Sequence, residues 1–379
     1  MEKIKKVVII GGHPTPAIAL IENLEKEKNI EIYFFGRKKS TEGDSAQSLE
    51  YKLLSNRKSI KFYSVTTGRL QRRFTQYTIP SLLKIPFGFL QSLFYLIKIK
   101  PNLVVGFGGY LSVPVIIGSY ILRIPIFVHE QTSIPGLSTK ITGKPAKKIF
   151  ISFRSSSRFF NSQKIIFSGN LLRDEIIRPS PLSDSELKKF LKLKEPLIYV
   201  TGGGQGSKLI NDFVINNFEE LVIMPYRFII QTGSLNNAKS YSDLKYKKSL
   251  QDNLRQKIFI VEHLSTSEVG AILNKKPIIF GRSGANTITE IVYHHIPSIL
   301  VPLDIAAGSE QLQNAQLLTA KNLAKIIKAK DLNFTSFSNS LTTLLKSFDS
   351  KSFTLLNEEI KIDLDNQLAK QVKSISDIK

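Results

Sequence analysis

Residues 277–290 read Pro277-Ile-Ile-Phe-Gly-Arg-Ser-Gly-Ala-Asn-Thr-Ile-Thr-Glu290. The run 278–280 is apolar and short, as a buried strand is, and Gly281, Ser283 and Gly284 end it. From Ala285 onward the pattern is that of a helix start. A strand feeding a glycine-rich turn and then a helix points unpaired backbone N–H groups, and the positive end of the helix dipole, at one spot. Such a spot suits a phosphate. Glu290 lies about a turn and a half into the helix, on the face of Asn286 and Thr287. A carboxylate there can accept hydrogen bonds from two ribose hydroxyls. Alone, the stretch also fits an ordinary βα turn with a surface glutamate.

The same unit recurs along the chain. Strand 7–10 runs into Gly11-Gly-His-Pro-Thr-Pro16 and a helix. His13 sits in that turn, where it is either a general base or a residue capping the helix. Strand 101–106 ends in Gly106-Phe-Gly-Gly-Tyr110, and strand 124–128 ends in His129-Glu-Gln-Thr-Ser-Ile-Pro-Gly136. Polar residues at the C-terminal end of a parallel strand occupy the usual position of an α/β active site. His129 and Glu130 fit equally as buried structural partners. Strand 197–200 is followed by Thr201-Gly-Gly-Gly-Gln-Gly-Ser207, and four glycines in five residues exceed what a turn needs, which points to an anion or sugar nucleotide. Repeated βα units predict an α/β protein with two Rossmann-like parallel-sheet domains facing a cleft. The expected division is 1–170, 171–350 and a helical tail over 351–379.

Composition bounds the chemistry. The 379 residues suffice for two domains, and 42% hydrophobic with 22% charged residues is ordinary for a globular protein. The absence of cysteine excludes disulfides, thiolate metal sites and cysteine nucleophiles. Strand 7–10 starts with no signal-type apolar segment before it, so a cytoplasmic chain is expected. The formal charge of +22 suits an anionic lipid surface or polyphosphate, or reflects a lysine-rich habit spread along the chain. Arg69, Arg72, Arg73 and Phe74 precede an apolar face over 82–96 and fit an interfacial membrane site. Lys84, Pro86 and Gly88 interrupt that run, whereas a spanning helix needs about 20 consecutive apolar residues. No Gly-x-Gly-x-x-Gly with a following acid, Walker loop, His-Glu-x-x-His or Gly-x-Ser-x-Gly is present.

The motifs Gly11-Gly-His13, Gly108-Gly-Tyr-x-Ser-x-Pro114, His129-Glu-Gln, Gly169-Asn-x-x-Arg173, Gly202-Gly-x-Gln-Gly206, Gln231-Thr-Gly233, Arg282-Ser-Gly-Ala-x-Thr-x-x-Glu290 and Gln311-x-x-Asn-Ala315 stand in one order. In that order the chain resembles the MurG family, the N-acetylglucosaminyltransferases of peptidoglycan synthesis. The resemblance implies the glycosyltransferase B fold with a C-terminal helix crossing back. It implies UDP-GlcNAc as donor, lipid I as acceptor, an anionic cytoplasmic membrane surface as partner, no nucleic acid, and neither cofactor nor metal. By resemblance, Val261 meets the uracil through its backbone and Glu290 takes the ribose hydroxyls. Ala285, Asn286, Thr287, Ile288 and Thr289 line the diphosphate, Gln311 binds the sugar, and Arg173, Gly204 and Gln205 lie near the donor. On the acceptor side, Gly11, Gly12, Gly108 and Gly109 adjoin the lipid pyrophosphate. His13 is the catalytic base, with Tyr110, Glu130 and Thr132 beside it. The chain departs from the family pattern at Thr132, Gly204 and Glu310. Rival readings are another sugar-nucleotide enzyme of this fold, such as an epimerase, and a non-catalytic basic binding protein.

Overall fold

A computed structural model describes residues 4–39, 47–68, 78–233, 239–249, 256–303 and 309–375. The chain divides into two compact units: Met1–Arg173 joined by Glu359–Lys379, and Asp174–Glu358.

The first unit is built on a parallel sheet. Its strands are β1 (Lys5–Ile10), β2 (Ile30–Gly36), β3 (Ile60–Ser64), β4 (Leu103–Gly106), β5 (Ile126–Glu130), β6 (Lys148–Ile151) and β7 (Ile165–Ile166). Their order is β3-β2-β1-β4-β5-β6-β7. Side chains alternate across the sheet. Val7 and Ile9 pack with Phe34, Leu103 and Val105 on one face, and Val8 and Ile10 pack with Phe35, Val104 and Val128 on the other. Both faces are buried, which is why the strands read as continuous apolar runs.

The second unit repeats the plan with β8 (Leu197–Thr201), β9 (Arg227–Gln231), β10 (Ile258–Val261), β11 (Ile278–Gly281), β12 (Ser298–Leu300) and β13 (Ala324–Ile326), ordered β10-β9-β8-β11-β12-β13. In each sheet the chain builds outward in one direction, then returns to the centre and builds in the other. The reversal falls between β1 and β4 in the first unit and between β8 and β11 in the second. Ligands of open α/β sheets bind at the strand ends beside such a reversal. The four glycine turns of the sequence follow these four strands.

The tail returns to the first unit from Glu359, later than the sequence division at 351. The preceding stretch Ser350–Leu356 is a short 3-10 helix of the second unit, with Phe353 stacked on His295 at 5.0 Å. Gly169, at φ +106, lets the tail backbone pass so closely that a Cβ there would lie 2.5 Å from the Lys361 carbonyl carbon. Asn170 N–H donates to Lys361 O at 2.9 Å, and Asp363 N–H donates to Asn170 O at 2.8 Å. The Asp363 carboxylate caps the final helix, Gln367–Lys373, through the N–H groups of Gln367 and Leu368. Leu368, Ala369 and Val372 complete the core around Ala17, Ile18 and Ile21.

The helix Thr78–Ile99 is continuous for 22 residues and carries Pro86 inside it. Leu83, Phe87, Leu90, Phe94 and Ile97 leave an exposed stripe along it, Leu83 at 73%. The adjoining helix Ser112–Ile121 adds exposed Ile117, Tyr120 and Ile121, and Gly118 allows the two to pack closely against Leu93 and Leu96. Among the described residues no helix is long and apolar enough to cross a membrane. Arg69, Arg72, Arg73 and Phe74 lie outside the described residues.

Candidate active site

The first cluster forms where β1 and β4 end. Gly12 and the Gly108–Gly109 turn lie backbone to backbone. A Cβ on Gly12 would come 1.9 Å from Gly108 O, and one on Gly109 would come 2.7 Å from Gly12 Cα. Gly108 and Gly109 both have φ near +72, a conformation that L side chains rarely adopt. Glycine is therefore required here by contact as well as by dihedral angle. His13 is the N-cap residue of the helix Pro14–Leu24, yet its side chain makes no capping bond. Its ring lies over Gly108, whose added Cβ would be 3.3 Å from His13 Cδ2. Desolvation by the protein around it pushes its pKa down to about 4, while the side chain itself remains exposed. The imidazole is therefore neutral at pH 7, with an unprotonated nitrogen able to accept a proton.

Tyr110 follows this turn and meets a residue that sequence reasoning missed. Arg37, just after β2, lays its guanidinium 5.4 Å from the Tyr110 ring centroid. Glu130 and Thr132, at the end of β5, are buried. The Glu130 carboxylate accepts from Thr132 N at 2.8 Å and from Thr132 Oγ1 at 2.6 Å. His129 is buried against Phe107, and its Nε2 pairs with Gly169 O at 3.1 Å. Burial holds His129 well below the usual histidine range, at about 4.

The second cluster lies where β8 and β11 end, around a cavity of about 770 Å³. Gly204, Gln205, Thr287 and Gln311 line it together, with Arg282, Ser207 and Lys208 in addition. Gly203, Gly206 and Gly233 all have positive φ, and a Cβ on Gly206 would lie 2.0 Å from Thr232 O. A Cβ on Gly204 meets nothing within 4 Å. Arg282 ties the loops together: Nε donates to Ser207 Oγ at 3.0 Å, and Nη1 donates to Val301 O at 2.9 Å and Pro302 O at 3.2 Å. Its signal in the sequence was its place inside the opening motif. Gln311 Oε1 accepts from Leu303 N at 3.0 Å, and Ser283 Oγ donates to Gln311 O at 2.8 Å.

The helix Ala285–His294 starts at Gly284, which has no side chain, so the N-cap residue gives it no side-chain capping bond. Asn286, Thr287 and Glu290 are partly exposed, whereas Ala285, Ile288 and Thr289 are buried, and Thr289 Oγ1 bonds back to Ala285 O at 2.8 Å. The last two therefore face the core and have no side chain to offer a ligand. Glu290 lies close enough to Tyr199 to help hold that buried phenol protonated, after desolvation. The Val261 carbonyl at the end of β10 accepts Thr232 N–H at 3.0 Å. Glu310, half-buried at the start of the helix Glu310–Thr319, accepts from Asn314 Nδ2 at 3.3 Å, and desolvation raises its pKa. Arg173 ends the first unit. Among the described residues no three His, Asp or Glu side chains gather as metal ligands.

Two clusters of this kind, each at a sheet reversal and lined by glycine, define an α/β architecture of the kind that binds phosphorylated ligands at its strand ends. Residues 10–151 match the glycosyltransferase family 28 N-terminal domain, and residues 197–371 match the glycosyltransferase family 28 C-terminal domain. The chain belongs to glycosyltransferase family 28. It is 31% identical to the UDP-N-acetylglucosamine–N-acetylmuramyl-(pentapeptide) pyrophosphoryl-undecaprenol N-acetylglucosamine transferase of Borreliella afzelii, over 93% of this chain and 94% of that one. The enzyme of the same description from Borreliella burgdorferi is 32% identical, again over 93% and 94%. A crystal structure of Acinetobacter baumannii MurG superposes with a TM-score of 0.67 at 20% identity, covering 97% of this chain and 99% of that one. That likeness establishes the glycosyltransferase B fold expected from the motifs.

Proposed function

We propose that the chain transfers GlcNAc from UDP-GlcNAc to the C4 hydroxyl of the MurNAc of undecaprenyl-pyrophosphoryl-MurNAc-peptide, lipid I, to give lipid II. The observation that carries this reading is His13, a neutral imidazole laid over the Gly108 turn at an uncapped helix start. The names of the relatives supply the substrates. In this reading the first unit holds the lipid pyrophosphate and the second holds the donor. His13 removes the C4 hydroxyl proton as that oxygen attacks C1 of the sugar; the C1–oxygen bond to UDP breaks and the configuration inverts. An alcohol is too weak an acid to ionise beforehand, so the base acts in the transition state. The charge released on UDP is met by backbone N–H groups at 284–287 and by Arg282, which are oriented before reaction.

Labelled UDP-GlcNAc and lipid I test the proposal, with label expected in the lipid phase at one UDP released per sugar. Release of free sugar or a C2 epimer without labelled lipid contradicts it. Glu290→Ala is expected to raise the KM for UDP-GlcNAc by about 10- to 100-fold, because a charged acceptor of ribose hydrogen bonds is lost. Steady-state kinetics with varied donor checks this, and an unchanged KM removes Glu290 from the donor site.

The protein acts at the cytoplasmic face of the membrane as a peripheral protein. Two observations support this. The first unit has 31 Lys and Arg against 13 Asp and Glu, a net of +18, while the second unit has only +4. Between 51 and 173 the sole acid is Glu130. Although the lysines look evenly spread in the sequence, it is the scarcity of acids that concentrates the charge. The exposed stripe of the helix Thr78–Ile99 belongs to this same basic unit. Replacing Leu90 and Phe94 together by Ser is expected to cut binding to anionic vesicles by roughly 10-fold or more. Co-sedimentation measures it; full retention of binding rejects this face as the membrane contact.

A further inference from the structure

Sheet order brings an arginine to the glycine turns of the first unit. Gly11 N–H donates to Phe35 O at 2.9 Å, so Arg37, two residues on, flanks the Gly11–Gly12 turn. Tyr110 directly follows Gly109, which touches Gly12. The Arg37 guanidinium lies over the Tyr110 ring, and its Nη1 donates to Tyr110 Oη at 3.4 Å. On its other side, Nε stands 3.6 Å from Glu50 Oε1. The Glu50 side chain is 4% exposed and that of Arg37 is 27% exposed. Ser48 Oγ donates to Arg37 O and accepts from Tyr51 N at 3.2 Å, so the helix start that carries Glu50 is bonded to the Arg37 backbone.

An exposed surface arginine gains little from one ion pair. Here a buried carboxylate and an aromatic face hold the guanidinium in one orientation while part of it stays open. A pre-oriented planar fork beside glycine backbone suits a phosphate ester better than a mobile lysine does. We propose that Arg37 binds the pyrophosphate of the lipid-linked acceptor, with Glu50 as its anchor and Tyr110 as its platform. The proposal rests on reading the first unit as the acceptor unit.

The test is calorimetric binding of farnesyl pyrophosphate, a short prenyl pyrophosphate, to the full chain with UDP saturating the donor site. Arg37→Ala is expected to weaken binding by about 10- to 100-fold, and Arg37→Lys, which keeps charge but not the fork, by less. The KM for lipid I rises by a similar factor in Arg37→Ala while the KM for UDP-GlcNAc holds. Arg37→Gln, closer in size, replaces the alanine variant if melting shows that one to be unfolded. Binding of farnesyl pyrophosphate that is absent in the wild type, or equal in wild type and variants, overturns the proposal. So does an equal loss of kcat in Arg37→Ala and Tyr110→Phe with the lipid I KM intact, because Arg37 would then only orient the Tyr110 hydroxyl. A wild type that binds farnesyl pyrophosphate through Arg37 but labels no lipid rejects the transfer reading and leaves the anion site standing.

Discussion

His13→Ala is expected to lower kcat by about 100-fold or more and to leave the KM for UDP-GlcNAc within about twofold. A 100-fold loss is about 2.7 kcal/mol of transition-state stabilisation, the usual scale for a positioned general base. The variant is informative because His13 does little else. Its side chain makes no capping bond, so alanine removes no cap, and its exposure means little packing is lost. The melting temperature therefore stays close to that of the wild type. The pH profile gives the same residue a second signature. Surrounding protein lowers the His13 pKa from 6.5, so the imidazole stays unprotonated, and active as a base, to lower pH than a free histidine. The acid limb of kcat/KM then lies below pH 6.5 in the wild type and is missing in the residual activity of the variant. Near-normal turnover in His13→Ala would remove it from the chemistry.

Gly206→Ala is expected to raise the KM for UDP-GlcNAc by about 30-fold or more and to lower stability by roughly 2 kcal/mol. Two costs combine. At φ +88 a Cβ is strained by about 1–2 kcal/mol. The Cβ would also sit 2.0 Å from Thr232 O, a backbone atom that cannot rotate away. The loop 202–207 must shift, and it lines the donor cavity. Gly204→Ala is the matched control, because its Cβ enters open space, and its KM is expected to stay within about threefold. Donor kinetics and melting of the two variants decide the matter. A donor KM in Gly206→Ala no higher than in Gly204→Ala, with both close to the wild type, would mean that donor binding does not depend on the shape of this loop.

Strand–glycine–helix units were legible from the sequence because apolar runs and glycine carry their own physical reasons. The same holds for the opening stretch, where strand, turn and helix fall at 278–281, 281–284 and 285–294. Strand order was not legible, since pairing of β1 with β4 joins segments separated by two further strands. Arg37 was missed for that reason: its partners Glu50 and Tyr110 are distant in sequence, and it stands at the edge of a polar stretch that reads as a loop. Arg282 was visible within a motif but gave no local sign that it bridges Ser207 to the carbonyls of Val301 and Pro302. The return of the tail at Glu359 depends on Gly169 admitting a backbone, a contact that no composition or periodicity records.

Amide hydrogen exchange on the full chain tests most directly the claim that each unit holds its own pyrophosphate at its sheet reversal. UDP-GlcNAc is predicted to protect 202–207 and 284–288, and lipid I is predicted to protect 11–13 and 108–112. Protection of the first unit's glycine turns by UDP-GlcNAc, with 202–207 and 284–288 exchanging as in the free protein, would contradict the assignment.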